Sequence, residues 1–182
     1  MNKILTWEMI GIAAISIAGA LLHFVFEWTG YWDPAAIIAG VNESTWEHLK
    51  IAFWPMLAYG VIEYFILGKK RPHNFLVAKA VALLVVPILI IFFFYTYTFF
   101  TGEDILFIDI LTFVLAIAVG QVVSYLIIKN RYQNKILSVL SVVVILIGVV
   151  LFSLLSYYPY ENFLFLDPVT DGYGIVEDHH HE

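Results

Sequence analysis

The segment VNESTWEHLK, Val41 to Lys50, gathers Asn42, Glu43, Glu47, His48 and Lys50 just ahead of a long apolar run. Upstream, HFVFE sets His23 and Glu27 at an i,i+4 spacing, which puts both on one face of a helix. Imidazoles and carboxylates brought together can do two kinds of chemistry. They can ligate a hard-to-borderline divalent cation such as Zn, Fe or Mn, or they can exchange protons as general acid and base. His23, Glu27, Glu43, Glu47 and His48 are therefore the candidate metal ligands, although their spacing is not HExxH. Asn42, Lys50 and, farther along, Asp109 join Glu43, Glu47 and His48 as candidate ligand-binding residues. Plainer roles compete with these. Ser44-Thr45-Trp46-Glu47 fits a capping box, in which Ser44 and Glu47 satisfy each other's backbone N–H groups. A His–Glu contact can also simply orient two helices.

The elements that must position these residues follow from composition. The chain has 182 residues, of which 62% are hydrophobic and 13% charged, and its mean hydropathy is +0.88. A soluble domain of this size is about a quarter charged, so this chain is expected to be dissolved in a lipid bilayer. There are no cysteines, which excludes disulfides, thiolate metal sites and cysteine nucleophiles. The net charge of −6 argues against nucleic acid as a partner.

Five apolar runs reach the roughly 20 residues a span requires: about Trp7 to Trp28, Trp46 to Leu67, Phe75 to Phe100, Ile105 to Ile128 and Ile136 to Tyr158. The first is too long for a signal-peptide core and is read as a retained span. Basic connections, GKKRPHN and KNRYQNK, alternate with the acidic TGED, and no Lys or Arg follows Tyr158. Short Lys/Arg-rich loops stay cytoplasmic. The expectation is an all-α bundle of five transmembrane helices in the cytoplasmic (inner) membrane, N-terminus in and C-terminus out. Residues 1–158 would form the transmembrane domain and 159–182 an extracytoplasmic tail able to fold back over the outer face. Trp28, Tyr31, Trp32, Tyr157, Tyr158 and Tyr160 then make an outer aromatic belt. On this topology His23, Glu27 and the VNESTWEHLK segment meet at one depth, with Asp109 as a fourth wall.

Other polar positions have structural expectations. Glu63 and Lys79 are expected to pair near the inner end, Gln121 and Ser124 to bond between helices, and Pro55 and Pro87 to kink their spans. In the tail, Asp167, Thr170, Asp171 and Tyr173 sit among turn signals, and the terminal EDHHHE is a composition that binds metal adventitiously.

Taken together, VNESTWEHLKIAFWP, the upstream LHFVFEW and the downstream FLDPVTDGYG resemble a family of small bacterial and archaeal membrane proteins of unknown function. That family carries V-N-E-S-x-W-E-H-x-K leading into the second span and ends in a D-P-x-T-G-x-Y-G-like tail. The resemblance runs from the first span to Tyr173. It implies Asn42, Glu43, Glu47, His48 and Lys50 as signature positions and supplies no activity. Asp171 stands where the pattern has Gly, a departure that bears on the tail's turn.

The functional expectation is an outer-face His/Glu pocket that binds a metal ion or a small polar ligand. One alternative is a metal-dependent or acid/base hydrolase acting on a lipid-like substrate. Another is a transporter or accessory subunit. The nearly uncharged middle thirds of the spans weigh against coupled transport, and so small a bundle would need a homo-oligomer or a partner to make a pathway.

Overall fold

The computed structural model describes residues 3–130 and 134–175. It contains five long helices: α1 (Lys3–Trp28), α2 (Thr45–Leu67), α3 (Phe75–Thr101), α4 (Leu106–Asn130) and α5 (Lys135–Leu154). All five are long and apolar enough to cross a membrane. Among the described residues there is no strand, only an isolated bridge between Leu166 and Tyr173. Each helix satisfies its backbone internally, which is what a lipid-embedded segment requires. Arg131 and the EDHHHE terminus lie outside the described residues.

The helices fall close to the apolar runs in the sequence. The larger differences are at α1, which starts at Lys3 rather than near Trp7, and at α5, which ends at Leu154 rather than near Tyr158. Residues 155–157 form a turn, and Ser156 there is drawn into a buried polar knot described below. Successive helices run in opposite directions. One end of the bundle, the tail end, gathers the α1–α2 connection, the α3–α4 connection and residues 155–175. The opposite, basic end carries Lys69, Lys70, Lys129 and Lys135.

α2 is the most enclosed helix and α5 the most exposed. α3 packs along α4, while α1 lies against α2 and α4. Ile15, Phe53, Met56, Val86 and Ile117 close the shared core. Between apolar helices in lipid, association rests on close packing rather than on water expulsion, and small residues at the contacts permit it. Gly19 shows this on α1: a Cβ there would stand 2.9 Å from the Ile51 carbonyl oxygen and 2.7 Å from the Phe113 ring.

Between α1 and α2 runs a short 3₁₀ turn, Asp33–Ile37, opened by a Pro. The Gly40 N–H then donates to the Leu22 carbonyl at 3.2 Å, returning the chain to α1. The tail docks back as well. The Leu164 carbonyl accepts from the Trp46 N–H at 2.8 Å, and the Trp46 indole stacks between Phe152 and Phe165, both centroids 4.7 Å away. Asp167 is buried and turns the tail: its carboxylate accepts from the Val169 N–H at 3.1 Å and the Thr170 hydroxyl at 2.6 Å. Asp171, in the position where a Gly was expected, has φ +54°. This is the left-handed region that Gly favours and Asp tolerates better than most residues.

Gly19→Ala is expected to push α1 off α2 against an unyielding backbone carbonyl, at about 1–3 kcal/mol, the usual overpacking cost. Thermal unfolding in detergent should show a clear fall in midpoint, and an unchanged midpoint would mean the contact is looser than drawn.

Candidate functional site

The VNESTWEHLK segment divides into two groups that face different ways. The inward group is a knot around Lys50. Its side chain is completely buried, yet the ammonium finds three acceptors: the Glu47 carboxylate in close contact, the Ala36 carbonyl at 2.8 Å and the Ser156 hydroxyl oxygen at 2.6 Å. Ser156 in turn donates to Glu47 Oε1 at 2.6 Å, and the Val41 N–H donates to Glu47 Oε2 at 3.1 Å. A lysine has three N–H donors and no acceptor, so this set satisfies it.

The capping box is therefore not formed. Ser44 is the N-cap of α2 but makes no side-chain cap hydrogen bond. Glu47 turns inward because Lys50, one turn on, offers a full charge where the box offers one N–H. Asn42 takes over the local work: its Oδ1 accepts from the Ser44 N–H at 2.9 Å, and its Nδ2 donates to the Gly174 carbonyl at 2.8 Å. Gly174 has φ +67°, and a Cβ there would meet the Ser156 carbonyl at 2.6 Å. The tail thus closes against the knot only with Gly at that position.

The outward group is His23, Glu43 and His48. His23 Nε2 lies 3.2 Å from Glu43 Oε1, and His48 Nε2 lies 3.8 Å from Glu43 Oε2. The imidazole centroids are 5.6 Å apart, and one ligand atom from each residue falls within 4.8 Å of the others. His48 Nδ1 lies 2.9 Å from the Ser44 carbonyl. A carbonyl only accepts, so Nδ1 carries the proton and Nε2 of the neutral ring keeps its lone pair toward Glu43. Glu43, in the loop before α2, has its carboxyl held below the ordinary value of 4.5, chiefly by the hydrogen bond from His23. Half-exposure of all three leaves the trio open to solvent and ligand.

The trio forms one wall of a cavity of about 560 Å³ between α1, α2, α3 and α4, with Pro168 and Val169 of the tail at its rim. Ile90, Phe94, Leu106 and Phe113 supply apolar walls, and Asp109 faces in from α4. The Asp109 carboxylate is engaged by the Tyr97 hydroxyl. Tyr97 also accepts from the Ile105 N–H at 3.1 Å, which fixes the start of α4.

Of the five candidate metal ligands, three converge. Glu27 is exposed on the last turn of α1 and has no ion pair among the described residues. The i,i+4 step from His23 carries it past the bundle rather than into it. Glu47 belongs to the Lys50 knot, as do Lys50 itself and, by way of the loop, Asn42. Asp109 shares the cavity. Ser156 and Tyr97 were not singled out from sequence; both are hydroxyls in otherwise apolar interfacial segments, and only the fold brings them to a charge. Glu8 was likewise not singled out, and it belongs to a separate cluster at the basic end.

The chain belongs to a family of unknown function (DUF6512), which matches residues 1–175. No curated protein and no solved structure matches it.

Lys50→Met leaves the Glu47 carboxylate buried without its counter-charge, a change that costs about 3–5 kcal/mol. His48→Ala removes one hydrogen bond at a half-exposed position, worth about 0.5–1.5 kcal/mol. Unfolding measured on both variants should rank Lys50→Met far below His48→Ala; the reverse order would move the structural centre of the motif to the histidine.

Proposed function

We propose, from the five apolar helices and the site's geometry, that this is a multi-pass membrane protein whose His23–Glu43–His48 trio binds a divalent metal ion, zinc by preference. The observation that carries the reading is the spacing of the donor atoms. Ligand atoms about 2.0–2.1 Å from a tetrahedral zinc lie about 3.3 Å from one another; the His–Glu separations of 3.2 and 3.8 Å, to the two oxygens of Glu43, stand near that, and the whole set, within 4.8 Å, would draw in on binding. The His48 Nδ1 contact with Ser44 supports it, since metal-binding imidazoles characteristically donate their other N–H to a carbonyl or carboxylate. Two histidines and one carboxylate would leave a tetrahedral ion one open position, and all three side chains line the cavity.

That open position gives a specific reason for a second reading. A metal ion held by His23, Glu43 and His48 would supply water activation in a cavity that Asp109 and apolar side chains also line, a setting suited to hydrolysis of a lipid-like ester or amide. The orientation of the chain follows the distribution of charge. With Lys69, Lys70, Lys129 and Lys135 at one end, that end is cytoplasmic and the trio faces the extracytoplasmic side.

Both statements can be measured. The full-length protein, with His179, His180 and His181 replaced by Ala to silence the terminus, should bind one equivalent of Zn²⁺. His23→Ala and His48→Ala should each weaken binding by at least about tenfold, and Glu27→Ala should not. Less than a tenth of an equivalent in the parent would sink the metal reading. Because the chain has no cysteine, single replacements report topology directly: Val169→Cys should react with an impermeant maleimide on intact cells and Lys70→Cys should not. The opposite pattern would invert the bundle.

A further inference from the structure

At the basic end the bundle buries a second polar cluster, one that shares no residue with the trio. Glu8 comes from α1, Glu63 from α2, Lys79 from α3, and Gln121 and Ser124 from α4. Lys79 Nζ lies 2.8 Å from Glu8 Oε1 and 2.6 Å from Glu63 Oε2. Ser124 donates to Glu8 Oε1 at 2.7 Å, and Gln121 Nε2 donates to the Glu8 backbone carbonyl at 3.4 Å. The Tyr59 hydroxyl is committed to the Trp7 carbonyl at 2.6 Å. Glu8 and Glu63 are 2% and 0% exposed.

The charges do not balance. Two carboxyl groups share one ammonium, and no other basic side chain pairs with them among the described residues. If both were ionised, one negative charge would stay uncompensated between apolar helices, at a cost of several kcal/mol. The unpartnered atoms show where the deficit falls. Among the described residues Glu8 Oε2 and Glu63 Oε1 are buried without a hydrogen-bond partner, and Glu63 Oε2 has only its poorly directed ionic contact with Lys79. The missing positive charge is a proton or a small cation. A hard cation demands several oxygen ligands gathered around it, whereas the Ser124 and Tyr59 hydroxyls are turned to Glu8 and to the Trp7 carbonyl and the helix carbonyls are already bonded. A proton needs one lone pair.

We propose that the Glu8–Glu63 pair is a proton-binding site within the span, in which Glu63 carries an exchangeable proton while Glu8 stays ionised between Lys79 and Ser124. Glu8 holds the negative charge because it has the better company: an ammonium and a hydroxyl donor against the single ionic contact of Glu63. Loss of the proton makes Glu63 compete with Glu8 for Lys79. Since the three sit on different helices, the occupancy of this site sets how α1 packs against α2 and α3. Intramembrane ionisable groups with this kind of pairing mark proton pathways in other membrane proteins.

Infrared spectroscopy of the full-length protein in lipid vesicles, in H₂O and D₂O, tests the assignment. At neutral pH the wild type should show a carboxylic-acid C=O band that shifts in D₂O and is lost in Glu63→Gln. Lys79→Met, which removes the one counter-charge paired with them among the described residues, should leave both groups protonated and about double the cluster's contribution to that band. A wild-type band unaltered by Glu63→Gln and by Lys79→Met would overturn the proposal. So would a band that is absent with Na⁺ present and appears only when Na⁺ is replaced by choline, because the site would then hold the metal cation.

Discussion

The tail end of this protein depends on the burial of a single ammonium group. An unpaired lysine in the interior of a bundle is prohibitively costly, so the chain must bring acceptors to Lys50 from wherever it can. It does so from three segments: Ala36 in the 3₁₀ turn, Glu47 one turn back on α2, and Ser156 beyond α5; the Val41 N–H in the loop donates to Glu47 and holds that carboxylate in place. Each contact satisfies a polar group, and each also fixes a piece of backbone that would otherwise be free. Ser156, which accepts from Lys50 and donates to Glu47, closes the ring. Ser156 makes both contacts from the turn that follows the end of α5 at Leu154.

The candidate metal site is built on this knot without belonging to it. With Val41 held by Glu47 and Gly40 held by Leu22, residues 42–44 have little freedom, and Glu43 is delivered to the face where His23 emerges from α1. His48 is aimed by the carbonyl of Ser44, the residue that Asn42 stabilises. Asn42 also grips Gly174, so the tail rim of the cavity and the ligand loop are fixed by one amide. Neighbouring residues of the motif thus do different jobs. Glu47 and Lys50 supply rigidity, while Glu43 and His48, half-exposed and lightly bonded, keep the freedom that a binding group needs.

The five helices were legible because a span is a long, local, one-dimensional signal. The Glu63–Lys79 pairing was legible too, since charge and depth sufficed to match them. What sequence did not yield was the choice among competing partners. Ser44-x-x-Glu47 reads as a capping box, and nothing local announces that Lys50 will outbid a backbone N–H for the same carboxylate. Glu27 looked equivalent to His23 by periodicity, but the helix ends one residue beyond it at Trp28, past the point where α2 can meet it. Ser156 and Gly174 are separated from their partners by more than a hundred residues, a pairing that only tertiary structure creates. Glu8 escaped notice because it opens an apolar run, where an acid ordinarily reads as a boundary marker rather than as part of the interior.

The two buried clusters differ in charge stoichiometry, and that difference assigns them different kinds of work. At the tail end one carboxylate meets one ammonium and every donor of the lysine is used; nothing further is required, and the knot can be permanent. At the basic end two carboxyl groups meet one ammonium, with oxygens left unpartnered. In water such an imbalance would be trivial, but between apolar helices it can be resolved only by taking up a positive charge. A closed 1:1 pair fixes a geometry, whereas a 2:1 pair has two states separated by one proton. The bundle is therefore fixed at one end, where the trio needs a fixed scaffold, and responsive at the other, where α1, α2 and α3 share the charge that can change.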